Sequence, residues 1–260
     1  MIPKKIHYCW FGGNPLPELA NRCIESWKKY CPDYEIIEWN ENNFDINCCD
    51  YVREAYEAGK WAFVSDVARL YALVNYGGIY MDTDVEVICS LDSLLKYDAV
   101  SGFETEKRLQ TGFMACGKGN PLFAELLEDY NDARFIRQDD TYDTTTNVTR
   151  MTDTCLKYGL RLDNTMQTVN GLTLLPYDYL CPKNIDTKII TVTDNTLVIH
   201  HFDGSWLSEE KRFAAELRGR YSRFLPIGIA ERIAKFIAMS KYNGLGAAIG
   251  KTIRWTRKKL

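Results

Sequence analysis

The sequence predicts an α/β fold with a mixed, mostly parallel sheet flanked by helices and followed by a C-terminal helical tail. It opens with a strand pattern at 5–10, a helical pattern at 16–30 and a second strand pattern at 34–39, the order of a βαβ unit with parallel strands. The 260 residues suffice for one large core and an accessory segment. With 46% hydrophobic and 26% charged residues, the composition excludes disordered, collagen-like and coiled-coil proteins.

The remaining elements follow from apolar periodicity and turn residues. Residues 60–76 have the spacing of an amphipathic helix that ends at Gly77 and Gly78. A short strand at 79–81 runs directly into Asp82-Thr83-Asp84 and resumes at 85–87. The later predictions are strands at 100–103, 112–116, 172–175 and 197–200, a helix at 122–130 and a loop at 138–149.

Positive charge is concentrated near the end of the chain. Residues 211–260 contain 13 basic and 2 acidic residues, a net charge of +11, which leaves −14 for the rest of a chain whose total is −3. Apolar residues of this tail fall on two helical faces, one with Ile229, Ile233, Phe236 and Ile237 and one with Leu245, Ile249 and Ile253. We therefore predict a domain at 1–207 and a basic amphipathic tail at 208–260 that binds an anionic membrane surface.

Other interpretations of the tail are a helical lid and a dimer surface. Nucleic acid is not expected as a partner, because the basic residues form no recognised nucleic-acid motif and the body is acidic. The nine cysteines are an odd number without C-x-x-C spacing, which argues against a disulfide framework and a zinc ribbon. The sequence contains no secretory signal and no run of about 18 apolar residues. We expect a cytoplasmic protein that is soluble or peripheral to a membrane.

Two carboxylates stand in an apolar setting. Asp82 and Asp84 interrupt the otherwise apolar stretch at 79–87, directly after Gly77 and Gly78. Burying them would cost several kcal/mol each unless a cation compensates their charge. Oxygen ligands in a short loop suit Mg²⁺ or Mn²⁺. The alternative for a bare D-x-D pattern is a solvated turn.

Histidine is rare in this chain and two of the three residues are adjacent. His200 and His201 end the predicted strand at 197–200, while His7 lies in the first strand. An imidazole can complete a metal site beside carboxylates, and the alternation of side chains along a strand lets only one of the adjacent pair face such a site. A structural role for the pair is the alternative.

Three ordered stretches resemble the DXD-motif sugar-binding family of glycosyltransferases, namely IPKKIHYCWFGG, SDVARLYALVNYGGIYMDTD and HHFDGSW. That family includes yeast-type initiating mannosyltransferases, α-1,4-galactosyltransferases and bacterial capsule enzymes, and it is distantly similar to the glucosylating domains of large clostridial toxins. The resemblance extends over about 2–207, most of the chain. It implies a GT-A type nucleotide-diphospho-sugar transferase fold, a divalent metal and retention of the anomeric configuration.

The resemblance also implies roles for residues that bind the donor. Trp10 matches the aromatic residue that stacks on the nucleobase, and Tyr80 matches a tyrosine close to the donor. Asp66 and Arg69, one helical turn apart, match the pair that holds the donor sugar and the phosphates. The structural alternatives are a strand-end tryptophan, a core tyrosine and an intrahelical ion pair.

The same comparison implies the metal ligands and a closing segment. Asp84 is expected to bind the metal directly, and Asp82 to reach the ribose, or the metal through water. His200 matches the metal histidine, with its neighbour as the alternative. Ser205 and Trp206 match a Ser-Trp pair that closes over the diphosphate, although a tryptophan that caps the core would give the same pattern.

These features predict a metal-dependent retaining hexosyltransferase with Asp66, Arg69 and Asp84 as catalytic residues. The cation and Arg69 would stabilise the charge that develops on the leaving diphosphate. The expected donor is a UDP-sugar rather than GDP-mannose, and the acceptor a saccharide or a lipid-linked group. Spacing places no carboxylate as a covalent nucleophile, so front-face attack is preferred.

Many relatives carry an N-terminal membrane anchor, whereas this chain starts at the first strand, and this favours bacterial surface polysaccharide synthesis on the cytoplasmic face of the membrane. Within the enzymes, the alternatives are a sugar-nucleotide hydrolase and a nucleotidyltransferase. The second of these is weakened by the lack of a glycine-rich phosphate loop that contains lysine. Outside the enzymes, the alternative is a non-catalytic scaffold that binds sugar-nucleotides or carbohydrates.

Overall fold

The computed structural model describes residues 1–204, 207–247 and 249, which fall into two compact units. The first unit comprises Met1–Pro182 and Val192–His201, and the second comprises Lys183–Thr191 and Phe202–Leu260. Strands are confined to the first unit among the described residues, while the second unit contains two long helices. None of the described helices combines the length and the apolar character that crossing a membrane requires.

A mixed sheet forms the centre of the first unit. The strands are β1 (Lys5–Cys9), β2 (Glu35–Trp39), β3 (Gly78–Met81), β4 (Val85–Val87), β5 (Ala99–Thr105), β6 (Arg108–Leu109), β7 (Phe113–Cys116), β8 (Gln167–Val169), β9 (Leu172–Leu175) and β10 (Val198–His200). Eight of them form one sheet in the order β2-β1-β3-β7-β5-β9-β8, with β6 paired to β5. The other two, β4 and β10, form a separate antiparallel ribbon.

The strand directions confirm the predicted mixed sheet. β1 pairs in parallel with β2 and β3, and β5 pairs in parallel with β9. β7 runs antiparallel between β3 and β5, and β6 and β8 are antiparallel to β5 and β9. Five of the eight strands therefore run in one direction, and the carboxyl ends of β1 and β3 meet at one edge of the sheet.

Helices cover the sheet. They are α1 (Glu18–Tyr30), α2 (Asp50–Glu57), α3 (Trp61–Tyr76), α4 (Pro121–Glu128), α5 (Asn147–Lys157) and α6 (Tyr177–Leu180). Side chains alternate across the strands, so that Tyr80 joins one buried apolar cluster, with α3, while Ile79 and Met81 join the other, with Trp27 of α1. The indole N–H of Trp27 donates to the carbonyl oxygen of Val85 at 2.7 Å, which ties α1 to β4.

The structure confirms each predicted helix and strand of the first unit to within two residues at its ends, with one wrong prediction and some omissions. Residues 147–149 were predicted as loop, but they are the first turn of α5. Spacing could have identified this helix, because Met151 and Cys155 are buried one turn apart. The prediction also omitted α2, α6, β6 and β8.

The second unit contains the helical tail. α7 (Glu209–Tyr221) packs against α8 (Ile227–Asn243), and the buried face of α8 consists of Ala230, Ala234 and Ala238. Three residues of the predicted apolar face are exposed instead, namely Ile229, Ile233 and Phe236. Leu245 and Ile249 are exposed too, and Ile253 lies outside the described residues. Small side chains therefore make the helix contact, because they permit close approach of the backbones.

A buried carboxylate fixes the segment that follows α4. Glu54 of α2 is only 3% exposed and accepts hydrogen bonds from the backbone N–H groups of Phe135 and Ile136, both at 2.9 Å. The guanidinium of Arg134 donates to the other carboxylate oxygen at 2.7 Å. Hydrogen bonds to a charged acceptor contribute more to stability than those to a neutral one. This contact therefore holds α2 firmly to a segment that lies 80 residues away in the sequence.

We expect Glu54→Gln to lower the free energy of unfolding by about 2 kcal/mol, because an amide oxygen replaces a charged acceptor in a buried site. Urea denaturation would measure this change. Glu57→Gln is the matched control, since the Glu57 side chain is 62% exposed and its one ion pair among the described residues joins it to Arg53 at 3.6 Å. Equal effects of the two substitutions would contradict the prediction.

Candidate active site

The Asp82-Thr83-Asp84 segment connects β3 to β4 at the carboxyl edge of the sheet. Backbone hydrogen bonds fix both ends of the segment. The N–H of Asp82 donates to the carbonyl oxygen of Gly112 at 2.8 Å, and the N–H of His201 donates to that of Asp84 at 2.9 Å. The two carboxylates are thus held between β7 and the β4–β10 ribbon rather than on a free turn.

Three side chains converge at this segment. The His200 Nε2 atom lies 3.3 Å from Asp84 Oδ1 and 4.0 Å from Asp82 Oδ2. One ligand atom from each of the three residues lies within 4.8 Å of the other two, and all three residues are partly exposed. Two carboxylates and an imidazole are a donor set suited to Mn²⁺ or Mg²⁺, and partial exposure leaves room for further oxygen ligands.

Gly112 makes space for this cluster. A Cβ atom at this position would lie 2.6 Å from His200 Cε1 and 3.0 Å from Asp82 Oδ2. Any larger residue would therefore displace the imidazole or the carboxylate. The sequence alone does not reveal this requirement, because Gly112 is distant from both residues along the chain.

The adjacent histidines have different environments. His200 faces the two aspartates, whereas His201 Nε2 contacts Glu86 Oε2 at 2.9 Å. β10 pairs with β4, and His200 lies opposite Val85. Because successive side chains of a strand point to opposite faces, the two histidines point in different directions. Burial opposes protonation of His200, but Asp84 outweighs it and raises the pKa of His200 well above its usual value.

A buried guanidinium joins this cluster to the predicted donor-binding residues. Arg69 is 6% exposed, and one of its terminal nitrogens lies 3.2 Å from Asp66 Oδ1 and 3.3 Å from Asp82 Oδ1. Its other terminal nitrogen donates to the carbonyl oxygen of Thr111 at 2.9 Å. The guanidinium lies over the ring of Tyr80 at 4.6 Å, and the Tyr80 hydroxyl donates to Asp82 Oδ1 at 2.8 Å.

The charge balance of the network leaves Asp66 with a perturbed pKa. Burial raises the pKa of Asp66 to about 6, although Arg69 favours the ionised form. Burial also raises the pKa of Tyr80 well above its usual value. Asp66 therefore changes charge near neutral pH, while Tyr80 remains a hydrogen-bond donor.

Asn147 is a part of the site that sequence reasoning missed. Its backbone N–H donates to Asp66 Oδ2 at 3.3 Å, and its side-chain amide donates to the Asp66 carbonyl oxygen at 2.7 Å. The Tyr130 hydroxyl donates to the Asn147 side-chain oxygen at 2.7 Å. Asn147 begins α5, so the Asp66 carboxylate also lies at the positive end of a helix. The polar segment before Asn147 concealed this helix start.

The other predicted site residues lie apart or outside the described residues. Trp10 follows β1 at the same sheet edge as Asp82, is half-buried and donates from its indole N–H to the carbonyl oxygen of Asn14 at 2.6 Å. Within the described part of the chain, Trp10 forms no hydrogen bond with the Asp66–Arg69–Tyr80–Asp82 network. Ser205 and Trp206 lie outside the described residues, so their predicted role stays a prediction.

Comparison with known proteins finds a family model that matches part of this chain. Residues 17–101 match the family described as "Glycosyltransferase sugar-binding region containing DXD motif". The DXD region contains Asp66, Arg69, Tyr80, Asp82 and Asp84, while Trp10 and His200 lie outside the matched segment.

Two curated relatives are similar to part of this chain. Inositol phosphoceramide mannosyltransferase 3 of Schizosaccharomyces pombe is 30% identical over 132 residues, 49% of this chain and 37% of the relative. Subversion of eukaryotic traffic protein A of Legionella pneumophila is 26% identical over 187 residues, 59% of this chain and 28% of the relative. The aligned segments thus span only about a third of the curated relatives' length. Among solved structures, the PaToxG glycosyltransferase has a TM-score of 0.48 and 15% identity, with coverage of 95% of this chain and 86% of that chain.

We expect the Asp82–Asp84–His200 cluster to bind one Mn²⁺ ion. Asp84→Ala and His200→Ala should each weaken binding by more than about tenfold, because each removes one ligand. Isothermal titration calorimetry with MnCl₂ would measure the affinity, and circular dichroism would establish that the variants fold. His201→Ala is the matched control and should bind as the native chain does, since His201 contacts Glu86.

Loss of binding in His201→Ala but not in His200→Ala would contradict this assignment.

Proposed function

We propose that this protein is a retaining glycosyltransferase that uses a divalent cation and a nucleotide-diphospho-sugar. The observation that carries the proposal is the shared carboxylate of Asp82. It lies 4.0 Å from His200, 3.3 Å from Arg69 and within hydrogen-bond distance of Tyr80. The candidate metal ligands and three of the predicted donor-binding residues, Asp66, Arg69 and Tyr80, therefore form one continuous cluster.

Positive charge at this cluster suits a leaving diphosphate. Arg69 is held by Asp66, Asp82 and the carbonyl oxygen of Thr111, so its guanidinium needs little reorganisation when negative charge develops nearby. A bound Mn²⁺ or Mg²⁺ would supply further positive charge to the diphosphate oxygens. Asp82, Asp84 and His200 would hold the ion, and Tyr80 would keep the Asp82 carboxylate oriented.

Asp66 is the proposed contact for the donor sugar. At neutral pH its carboxylate is mostly ionised, because its pKa is about 6, and an ionised carboxylate only accepts hydrogen bonds. Arg69 and Asn147 occupy part of its accepting capacity, and sugar hydroxyls would take the remainder. Trp10 would stack on the nucleobase at the same sheet edge, and Ser205 and Trp206 would close over the diphosphate.

Retention is proposed to occur by attack on the face from which the diphosphate leaves. The bond from the anomeric carbon to the diphosphate oxygen breaks, the acceptor oxygen bonds to the same face, and the acceptor proton passes to the departing phosphate. The carboxylates of the cluster already contact Arg69, Tyr80 or His200, which favours positioning over covalent attack. Asp66, Arg69 and Asp84 are the proposed catalytic residues.

The proposed donor is a UDP-sugar and the proposed acceptor a saccharide or a lipid-linked group in bacterial surface polysaccharide synthesis. The name of the S. pombe relative specifies a mannosyltransferase and inositol phosphoceramide, a lipid. That name supports a lipid-linked acceptor. Because it also specifies a mannosyltransferase, GDP-mannose must be tested as a donor alongside the UDP-sugars. A lipid-linked acceptor would require the enzyme to act at a membrane surface.

The turn between α7 and α8 supports a location at a membrane surface, and we propose the cytoplasmic face. Phe224 is 85% exposed, and Leu225 and Ile227 beside it are also exposed. Arg220 and Arg223 precede these apolar residues in the sequence and are exposed. An apolar tip with adjacent arginines suits the interface of an anionic bilayer, where each basic residue contributes about 1 kcal/mol.

Donor binding and hydrolysis would test the proposed activity. We expect one of UDP-galactose, UDP-glucose, UDP-N-acetylglucosamine and GDP-mannose to be cleaved in the presence of Mn²⁺ and not in EDTA. Asp84→Ala should abolish cleavage, and Arg69→Lys should lower it by about 100-fold or more, because lysine cannot reproduce the fixed guanidinium contacts. Glu57→Gln is the control for a change of charge outside the site.

Metal-dependent binding of a sugar-nucleotide without turnover would favour the scaffold hypothesis. Failure of every donor to bind to folded protein would overturn the proposed function.

We also expect the chain to sediment with vesicles that contain phosphatidylglycerol and not with pure phosphatidylcholine vesicles. Phe224→Ser combined with Leu225→Ser should reduce the bound fraction at least about fivefold, because the apolar tip is lost. Added salt should weaken binding. Met166→Ser is the control, since Met166 is an exposed apolar residue of the first unit.

Binding that is unchanged in the double variant would contradict a membrane role for the turn. A concentration-dependent dimer that the same variant abolishes, measured by light scattering, would indicate a dimer surface instead.

A further inference from the structure

Arg150 of α5 is a largely buried cation that the proposed reaction leaves without a role. Its side chain is 17% exposed, and it lies one helical turn after Asn147. One of its terminal nitrogens donates to Asp143 Oδ2 at 3.1 Å, and its guanidinium lies over the ring of Tyr130 at 4.6 Å. A buried charge requires such partners, so a carboxylate and an aromatic face together fix the position of this guanidinium.

The carboxylate that holds Arg150 has further partners of its own. Asp143 Oδ1 accepts hydrogen bonds from the hydroxyl and the backbone N–H of Thr145, at 2.7 Å and 3.1 Å. The guanidinium of Arg137 donates to the same oxygen at 2.9 Å. Replacement of Arg150 therefore leaves Asp143 with a cation and two hydrogen-bond donors, and the fold should survive the change.

The surroundings of Arg150 are not arranged for stability alone. Its Nε atom and the hydroxyl of Tyr51 are buried, and neither forms a hydrogen bond within the described part of the chain. The guanidinium lies 5.9 Å from the ring of Tyr51, which is 0% exposed. Buried polar atoms without partners lower stability. Such a cost indicates that Arg150 serves the site rather than the packing of the core.

Tyr130 connects Arg150 to the proposed contact for the donor sugar. The Tyr130 hydroxyl donates to the side-chain oxygen of Asn147 at 2.7 Å. Asn147 in turn donates to Asp66 from its backbone N–H, at 3.3 Å, and from its side-chain amide, at 2.7 Å. Tyr130 and Asn147 are 1% and 3% exposed, so solvent cannot replace these hydrogen bonds. A guanidinium that fixes the Tyr130 ring also fixes its hydroxyl, and thereby the group that orients Asp66.

We propose that Arg150 is a positioning residue for the donor sugar and acts on Asp66 through Tyr130 and Asn147. The inference rests on the proposed function, in which the Asp66 carboxylate accepts hydrogen bonds from sugar hydroxyls. Arg69, by contrast, is the cation assigned to the diphosphate. Loss of Arg150 should therefore weaken binding of the sugar part of the donor without weakening binding of the nucleoside diphosphate.

A comparison of two affinities tests this role. Isothermal titration calorimetry with Mn²⁺ would use whichever of UDP-galactose, UDP-glucose, UDP-N-acetylglucosamine and GDP-mannose the native chain binds, and UDP or GDP alone. Arg150→Met should weaken binding of the nucleotide-sugar at least about fivefold and change that of the nucleoside diphosphate by less than about twofold, because only the sugar contacts Asp66. Arg150→Lys, which keeps a cation beside Tyr130, should lose less.

Arg137→Met is the matched control. Arg137 pairs with the same carboxylate, but its side chain is 54% exposed, and both affinities should stay unchanged in this variant. Equal losses for the nucleotide-sugar and the nucleoside diphosphate in Arg150→Met, or no loss for either, would overturn the proposal.

A double-mutant cycle tests the path through Tyr130. Tyr130→Phe removes the hydroxyl that donates to Asn147, and it should weaken binding of the nucleotide-sugar selectively, as Arg150→Met does. The double variant should bind no more weakly than the weaker single variant, because both changes interrupt one path. Additive losses would contradict this path.

A measurement without donor separates this inference from the proposed function. Hydrogen exchange of the Asn147 backbone amide, followed by NMR, reports its hydrogen bond to Asp66. Its rate relative to that of the Tyr80 amide in β3 should rise at least about threefold in Arg150→Met and not in Arg137→Met. An unchanged ratio in Arg150→Met would overturn the inference. If the native chain binds no donor, the proposed function fails, and the exchange ratio alone decides whether Arg150 positions Asn147.

Discussion

The guanidinium group of Arg69 lies buried between the carboxylates of Asp66 and Asp82, and the rest of the site is arranged around this charge. An isolated buried charge is too costly to maintain, so each member of this group requires the others. Asp82 also belongs to the cluster with Asp84 and His200. The position of the candidate metal ligands thus depends on the guanidinium of Arg69, the same group that would contact the donor phosphates.

The chain brings these residues together through a tight connection between α3 and β3. Gly77 and Gly78 have φ values of +65° and +114°. A Cβ atom would lie 2.6 Å from the backbone nitrogen of Lys118 at Gly77, and 2.8 Å from the carbonyl oxygen of Lys5 at Gly78. Only glycine fits there, and the short connection sends the chain from the helix that carries Arg69 directly into the strand that ends before Asp82.

Local patterns made most of the fold predictable, since apolar periodicity and turn residues located α1, α3 and the main strands. The apolar residues around Asp82 and Asp84 in the sequence indicated that burial of these two carboxylates would require compensation of their negative charge. The choice between His200 and His201 depends on which strand face points to the aspartates, and Asn147 enters the site through a helix start in a polar segment. The choice of histidine and the position of Asn147 both depend on tertiary structure. So does the burial of alanines rather than isoleucines on α8.

The β4–β10 ribbon gives the site an order of assembly. β10 does not pair with the main sheet and supplies His200 from a part of the chain far from Asp84, as the 115-residue separation of the neighbouring His201–Glu86 contact illustrates. A contact of such long range costs chain entropy, because a long intervening loop must be closed to form it. During synthesis, Arg69 and the two aspartates are added to the chain more than 100 residues before His200. The candidate metal-binding set is therefore complete only after His200 has been synthesised.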